Sequence, residues 1–170
     1  MLSSKSNPKR PAVPVLDAAF EKPQRRSGAK MQWESNNFLL LTSLYAGGSG
    51  IETRKYFSLS SIERTLIDLS VRPAYGGGAR TILEIYKKAI LAFTIGNIFK
   101  LLDRLSYKYS YHQSIGFYLS LSGYNNQQNL DKLREMGMNC SFYLDYKMID
   151  PIYSDEWNIY FPKDLIADNF

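Results

Sequence analysis

Asp145-Tyr146-Lys147 is an acid-x-Lys step near the end of an expected strand. On a strand this is half of a metal-dependent nuclease constellation, in which a carboxylate holds Mg²⁺ and lysine steadies the attacking water or the phosphate. That chemistry also calls for a second carboxylate on a neighbouring strand. The nearest upstream acids, Asp131 and Glu135, fall in a helical pattern and are expected to face solvent. His112 is the only histidine, so any nucleophile–histidine pair would have to be built around it. Its place at a helix start fits a buried or capping imidazole equally well. One histidine and one cysteine, Cys140, exclude a three-histidine or His/Cys zinc site. Tyr75-Gly76-Gly77-Gly78-Ala79-Arg80 could aim backbone amides at a phosphate, with Arg80 assisting. However, no Gly-Lys-Ser/Thr follows and a helix rather than a strand precedes, so a tight helix-to-helix turn is the favoured reading. Arg64, Asp68 and Arg72 recur every four residues and place Asp68 between two guanidinium groups, either as a solvated ladder or as a binding face. These residues do not compose a catalytic centre, and neither a metal nor a cofactor is expected. A binding or interaction protein is the better reading.

The elements that must position these groups follow from local pattern. Over residues 60–78, Ser60 and Glu63 have capping-box spacing. Ile62, Leu66 and Leu69 form an apolar helical stripe, and Pro73 with the three glycines ends the helix. Upstream, residues 31–33, 38–42 and 56–59 read as short strands of a small sheet, with a glycine turn at 47–50. Downstream, helices are expected over about 79–91, after a Thr94 cap, over 112–121 with Gly123 past its end, and from an Asn129 cap through 136. Residues 140–146 and 157–161 read as partner strands. The expected class is α+β, with a small N-terminal sheet, a central bundle of about four helices and a C-terminal β-hairpin.

At 170 residues the chain fits a single domain over 20–170, behind a basic, proline-marked arm over 1–19. The net charge of +5 is uneven. Residues 1–30 hold seven basic and two acidic side chains, whereas residues 31–170 hold fourteen of each. The basic character therefore belongs to the first thirty residues, which could contact phosphates without sequence preference. A lone cysteine excludes an internal disulfide. No apolar run follows the N-terminal charges and none approaches a membrane span, so a cytoplasmic protein without membrane contact is expected. Thirteen tyrosines suit interfaces, base stacking or ordinary β-packing.

Two long runs resemble a known family. Ser61-Ile-Glu-Arg-Thr-Leu-Ile-Asp-Leu-Ser-Val-Arg-Pro-Ala-Tyr-Gly-Gly-Gly78 and Tyr109-Ser-Tyr-His-Gln-Ser-Ile-Gly-Phe-Tyr-Leu119 are similar to signature segments of abortive-infection antitoxins of the AbiEi type. Phe142-Tyr-Leu144 and Trp157-Asn-Ile-Tyr-Phe-Pro-Lys163 also fit. The resemblance covers about 20–163 and implies a bacterial type IV toxin–antitoxin, phage-defence context, with a nucleotidyltransferase-like toxin as functional partner. Family members join a winged-helix DNA-binding domain to an antitoxin domain and repress their own operon. No helix-turn-helix pattern precedes residue 20 here, so the chain resembles the antitoxin domain alone. The resemblance implies no catalytic residues. Arg64, Asp68, Arg72, Tyr75, Gly76, Gly77, Arg80, Tyr111, His112 and Gln113 are taken together as the candidate binding or signature face, all but Arg80 lying within these two runs.

Overall fold

Helix α1, Ile62–Val71, starts one residue later than the Ser60–Glu63 spacing predicts. In the computed structural model, which describes residues 28–40, 48–138 and 140–166, the cap is Ser61, whose hydroxyl accepts from the Arg64 amide at 3.2 Å. Ser60 bonds the Thr65 hydroxyl instead, at 2.8 Å. The buried face also rotates. Ile62 is exposed, and Glu63, Arg64, Leu66, Ile67 and Ser70 face inward. The period was right but the phase was wrong, because two polar residues found partners inside. The helix ends at Arg72, whose amide bonds the Asp68 carbonyl at 2.9 Å, and Pro73 blocks continuation.

A 3₁₀ turn over Pro73–Tyr75 leads through Gly77 and Gly78, both in the left-handed region, into α2, Ala79–Ala89. Helix α3 spans Ile95–Leu105, α4 Tyr111–Leu121 and α5 Gln127–Glu135. The cap of α5 is Asn126, which accepts from the Asn129 amide, rather than Asn129 itself. Gly123 takes the expected left-handed turn after α4. Helix α4 is the axis of the molecule. Every residue from His112 to Leu119 is buried, and α1, α2 and α5 all pack against it. A helix enclosed on all sides must be apolar or have its polar groups paired. Its Ile115 and Tyr118 share one core with Ile67, Ile82, Tyr86, Ile98, Leu133 and Trp157 from other elements.

The class is α+β, with five α-helices among the described residues. The N-terminal strands form two separate antiparallel ribbons rather than one sheet: β1, Lys30–Trp33, with β2, Asn36–Leu39, and β3, Ile51–Thr53, with β4, Ser58–Ser60. Leu41, Thr42 and residues 1–27 lie outside the described residues. The C-terminal strands are β5, Phe142–Tyr143, β6, Pro151–Ser154, and β7, Ile159–Pro162, ordered β5-β7-β6. The expected partnership of 140–146 with 157–161 is present, but it is parallel and two residues long. The antiparallel hairpin is β6–β7. Ile159 and Phe161 point into the core, while Tyr160 stacks on Tyr143 at 4.8 Å on the other face.

Candidate functional site

The Arg64–Asp68 pair is not a solvated ladder. Arg64 is buried at 5% exposure. Its Nε bonds Asp68 Oδ2 at 2.9 Å, and its Nη1 donates to the Ser49 carbonyl at 2.8 Å. Arg64 therefore ties α1 to the approach into β3, and Gly50 lies so close that an added Cβ would meet Arg64 Cβ at 2.8 Å. Asp68 also accepts from the Tyr107 hydroxyl at 3.4 Å. Arg72 is not the third rung. It makes no ion pair with Asp68, since the helix has already ended at its backbone. Its charge acts on Tyr146, whose pKa is raised by burial and by nearby Tyr109 and Asp145, with Arg72 working the other way.

Glu63, expected to close the cap of its own helix, reaches the start of α3 instead. Its carboxylate accepts from the Thr94 amide at 2.9 Å and from Asn97 Nδ2 at 3.3 Å. Burial pushes its pKa up, and the backbone and side-chain donors more than offset this, holding it below 4.5.

The glycine loop opens onto a groove of about 740 Å³ lined by Gly77, Arg80, Asp145, Lys147, Ile149 and Lys163, among others. Four residues singled out from sequence thus do converge. Their arrangement bears on both chemical readings. The amide of Ala79 at the α2 N-terminus donates to Asp145 Oδ2 at 2.8 Å, and Asp145 Oδ1 accepts from the Tyr146 amide at 2.7 Å. A phosphate at the loop would have to approach this carboxylate, so the internal anion occupies the place a phosphate cradle requires. The same bonds make Asp145 the cap of α2. Among the described residues no group of three or more His, Cys, Asp or Glu could hold a metal ion. Arg80 bonds the Asp164 carbonyl at 2.6 Å and its carboxylate at 3.3 Å.

His112 and Gln113 anchor the far side of α4. His112 Nε2 donates to the Gly137 carbonyl at 2.9 Å, joining α4 to the loop after α5. Gln113 is fully buried, and its Nε2 lies 2.9–3.1 Å from the carbonyls of Cys140, Trp157 and Asn158. One amide therefore holds the loop leading into β5 to the turn before β7. Tyr111 is packed edge-on against Tyr107 at 5.2 Å and Phe142 at 5.3 Å, the packing role read from the aromatic cluster. Tyr75 is half-buried in the 3₁₀ turn. Gly76 is pressed against Leu69 and Ile82, with 2.8 and 2.9 Å to an added Cβ.

Sequence reasoning quoted Gly116 and Trp157 within longer runs and gave neither a role of its own. The indole of Trp157 lies across Gly116, where an added Cβ would stand 2.0 Å from Trp157 Cζ3. Trp157 Nε1 donates to Ser120 Oγ at 3.1 Å, and the Arg134 guanidinium sits 4.5 Å from the ring centroid. A lone glycine inside an apolar helical run was the available signal, because a helix tolerates it for close approach.

No family model, curated protein or solved structure matches the chain. No helix among the described residues is long and apolar enough to cross a membrane.

Proposed function

We propose that this chain is a non-enzymatic antitoxin-like domain of a bacterial type IV toxin–antitoxin system, acting in the cytoplasm against a nucleotidyltransferase-like toxin. The observation that carries this reading is the joint packing of the two signature runs. Helices α1 and α4 lie against each other, and Arg64, Asp68, His112 and Gln113 bond to the protein's own groups. Residues so engaged stabilise a scaffold, which supports recognition through an outer surface rather than turnover in a cleft. Co-expression with a nucleotidyltransferase-like toxin encoded beside this gene is expected to restore growth. Stable expression without rescue would refute the reading. Direct contact is tested by co-purification of the two proteins.

The uneven charge favours a second contact. With a net charge of +5, residues 1–30 suit non-specific binding to phosphates. Binding that weakens with added salt in the full chain, and drops when residues 1–30 are removed, is the expected result. Binding unchanged by either perturbation would exclude it.

A further inference from the structure

Large exposed apolar side chains gather on the two N-terminal ribbons. In β1–β2, Met31 pairs with Phe38 and Trp33 with Asn36, and the Leu40 amide bonds the Ala29 carbonyl at 3.0 Å. Side chains alternate across a ribbon, so Met31, Trp33, Phe38 and Leu40 share one face. They are 61%, 65%, 51% and 70% exposed. In β3–β4 the turn Arg54-Lys55-Tyr56-Phe57 is closed by the Arg54 amide on the Phe57 carbonyl at 2.7 Å. Tyr56 is 82% and Phe57 61% exposed, and Lys55 Nζ lies 4.9 Å from the Tyr56 ring centroid.

Two occupants compete for these surfaces, a second copy or a nucleic-acid strand. Four side chains at about 100–150 Å² each bury about 800–1,200 Å² across a two-fold, which barely reaches the size of a specific interface. Two copies, each carrying +5 in its first thirty residues, would also repel one another electrostatically. A polyanion complements that charge, as well as the Lys30 and Lys55 side chains on the ribbons, where Arg54 is paired with Glu52 at 2.7 Å. Flat aromatic faces beside cations are the ordinary elements of base stacking.

We propose that Trp33 and Phe38 on the first ribbon, and Tyr56 and Phe57 at the tip of the second, are stacking platforms for single-stranded nucleic acid, with Lys30 and Lys55 meeting phosphates. The proposal does not rest on the antitoxin reading. The full chain supplies its own probe, because Trp33 is exposed while Trp157 is 1% exposed in the core. Titration with a labelled oligothymidine about twenty nucleotides long is expected to quench the exposed tryptophan, whereas heparin is expected to bind without quenching. Trp33→Ala and Tyr56→Ala should each weaken oligonucleotide binding by about 5- to 100-fold. Trp33→Phe should stay near wild type, and heparin affinity should not change in any variant. Should Trp33→Ala lose its native circular dichroism, Tyr56→Ala carries the test. Equal affinity of the alanine variants and wild type, absence of binding at low salt, or equal quenching by heparin would overturn the proposal. So would concentration-dependent burial of Trp33 without oligonucleotide, which assigns the face to a second copy.

Discussion

Replacing Gly116 by alanine sets two effects against each other, and the structure decides between them. Alanine is the better helix former by about 1 kcal/mol, so an open position would gain stability. Here the new methyl would stand 2.0, 2.3 and 2.7 Å from three atoms of the Trp157 indole. Restoring ordinary contact requires the ring to retreat by about 1.5 Å. The ring has little freedom to do so, held as it is by Ser120 and covered by Arg134. Overpacking a rigid core costs about 1–3 kcal/mol, and losing the packing of a buried Trp altogether about 3–5. Subtracting the helical gain leaves a net loss of up to about 4 kcal/mol. For a chain of this size that is a fall of up to about 15 °C in Tm. Urea unfolding followed by circular dichroism would show a lower midpoint with an unchanged slope. Gly116→Ala combined with Trp157→Leu should cost less than the sum of the two single changes, because the smaller side chain vacates the contested space. A midpoint at or above wild type for Gly116→Ala alone would refute the reasoning, since helix propensity would then have won and the indole could not lie where it is described.

Asp145→Ala removes the carboxylate from the α2 amide and should destabilise by about 1–2 kcal/mol in chemical unfolding, with Asp145→Asn recovering part of the loss. Full stability of the alanine variant would contradict the capping role. Asp68→Ala leaves the buried Arg64 guanidinium with one fewer acceptor. The half-exposed position of Asp68 moderates the cost to about 1–2 kcal/mol, read as a lowered Tm. Unchanged stability with lost antitoxicity would instead make Asp68 part of a binding face. Glu63 has a lowered pKa in the folded state, so its contribution is present above the ordinary carboxylate pKa and is lost as the pH falls through the depressed one. Glu63→Gln should flatten this part of the stability profile, and an identical acid limb in both proteins would count against the bond to Thr94. Tyr86 and Tyr118 have pKa values raised first of all by burial. Neither should ionise at pH 10 in the native protein, and ultraviolet titration should show both ionising with unfolding.

Periodicity and punctuation made the helices legible. The apolar spacing located α1 to α4 to within a few residues, and Pro73 with its glycines marked a real boundary. Phase was harder to read. Ser60 and Ser61 both precede a suitable helix start, and only the engagement of Glu63 by Thr94, thirty-one residues away, settles which serine caps. The same long-range claim explains why Asp145 resembled half of a nuclease site. Its partner, the Ala79 amide, lies sixty-six residues upstream and leaves no trace in local pattern. Arg64 looked like a surface residue because arginine usually is. Its burial depends on the Ser49 carbonyl, supplied by a glycine turn whose pattern marks a turn but not what it packs against.

The strand order β5-β7-β6 has a consequence for how the chain comes together. The central strand is the last of the three to be synthesised, so β5 and β6 leave the ribosome as edges without a middle. Gln113, emerging much earlier, can complete its bonds only when the carbonyls of Trp157 and Asn158 arrive. Helices α1 to α5 can associate through nearer contacts during that interval, whereas the sheet cannot register before Ile159 is available. Until then the groove above Gly116 has no indole to fill it.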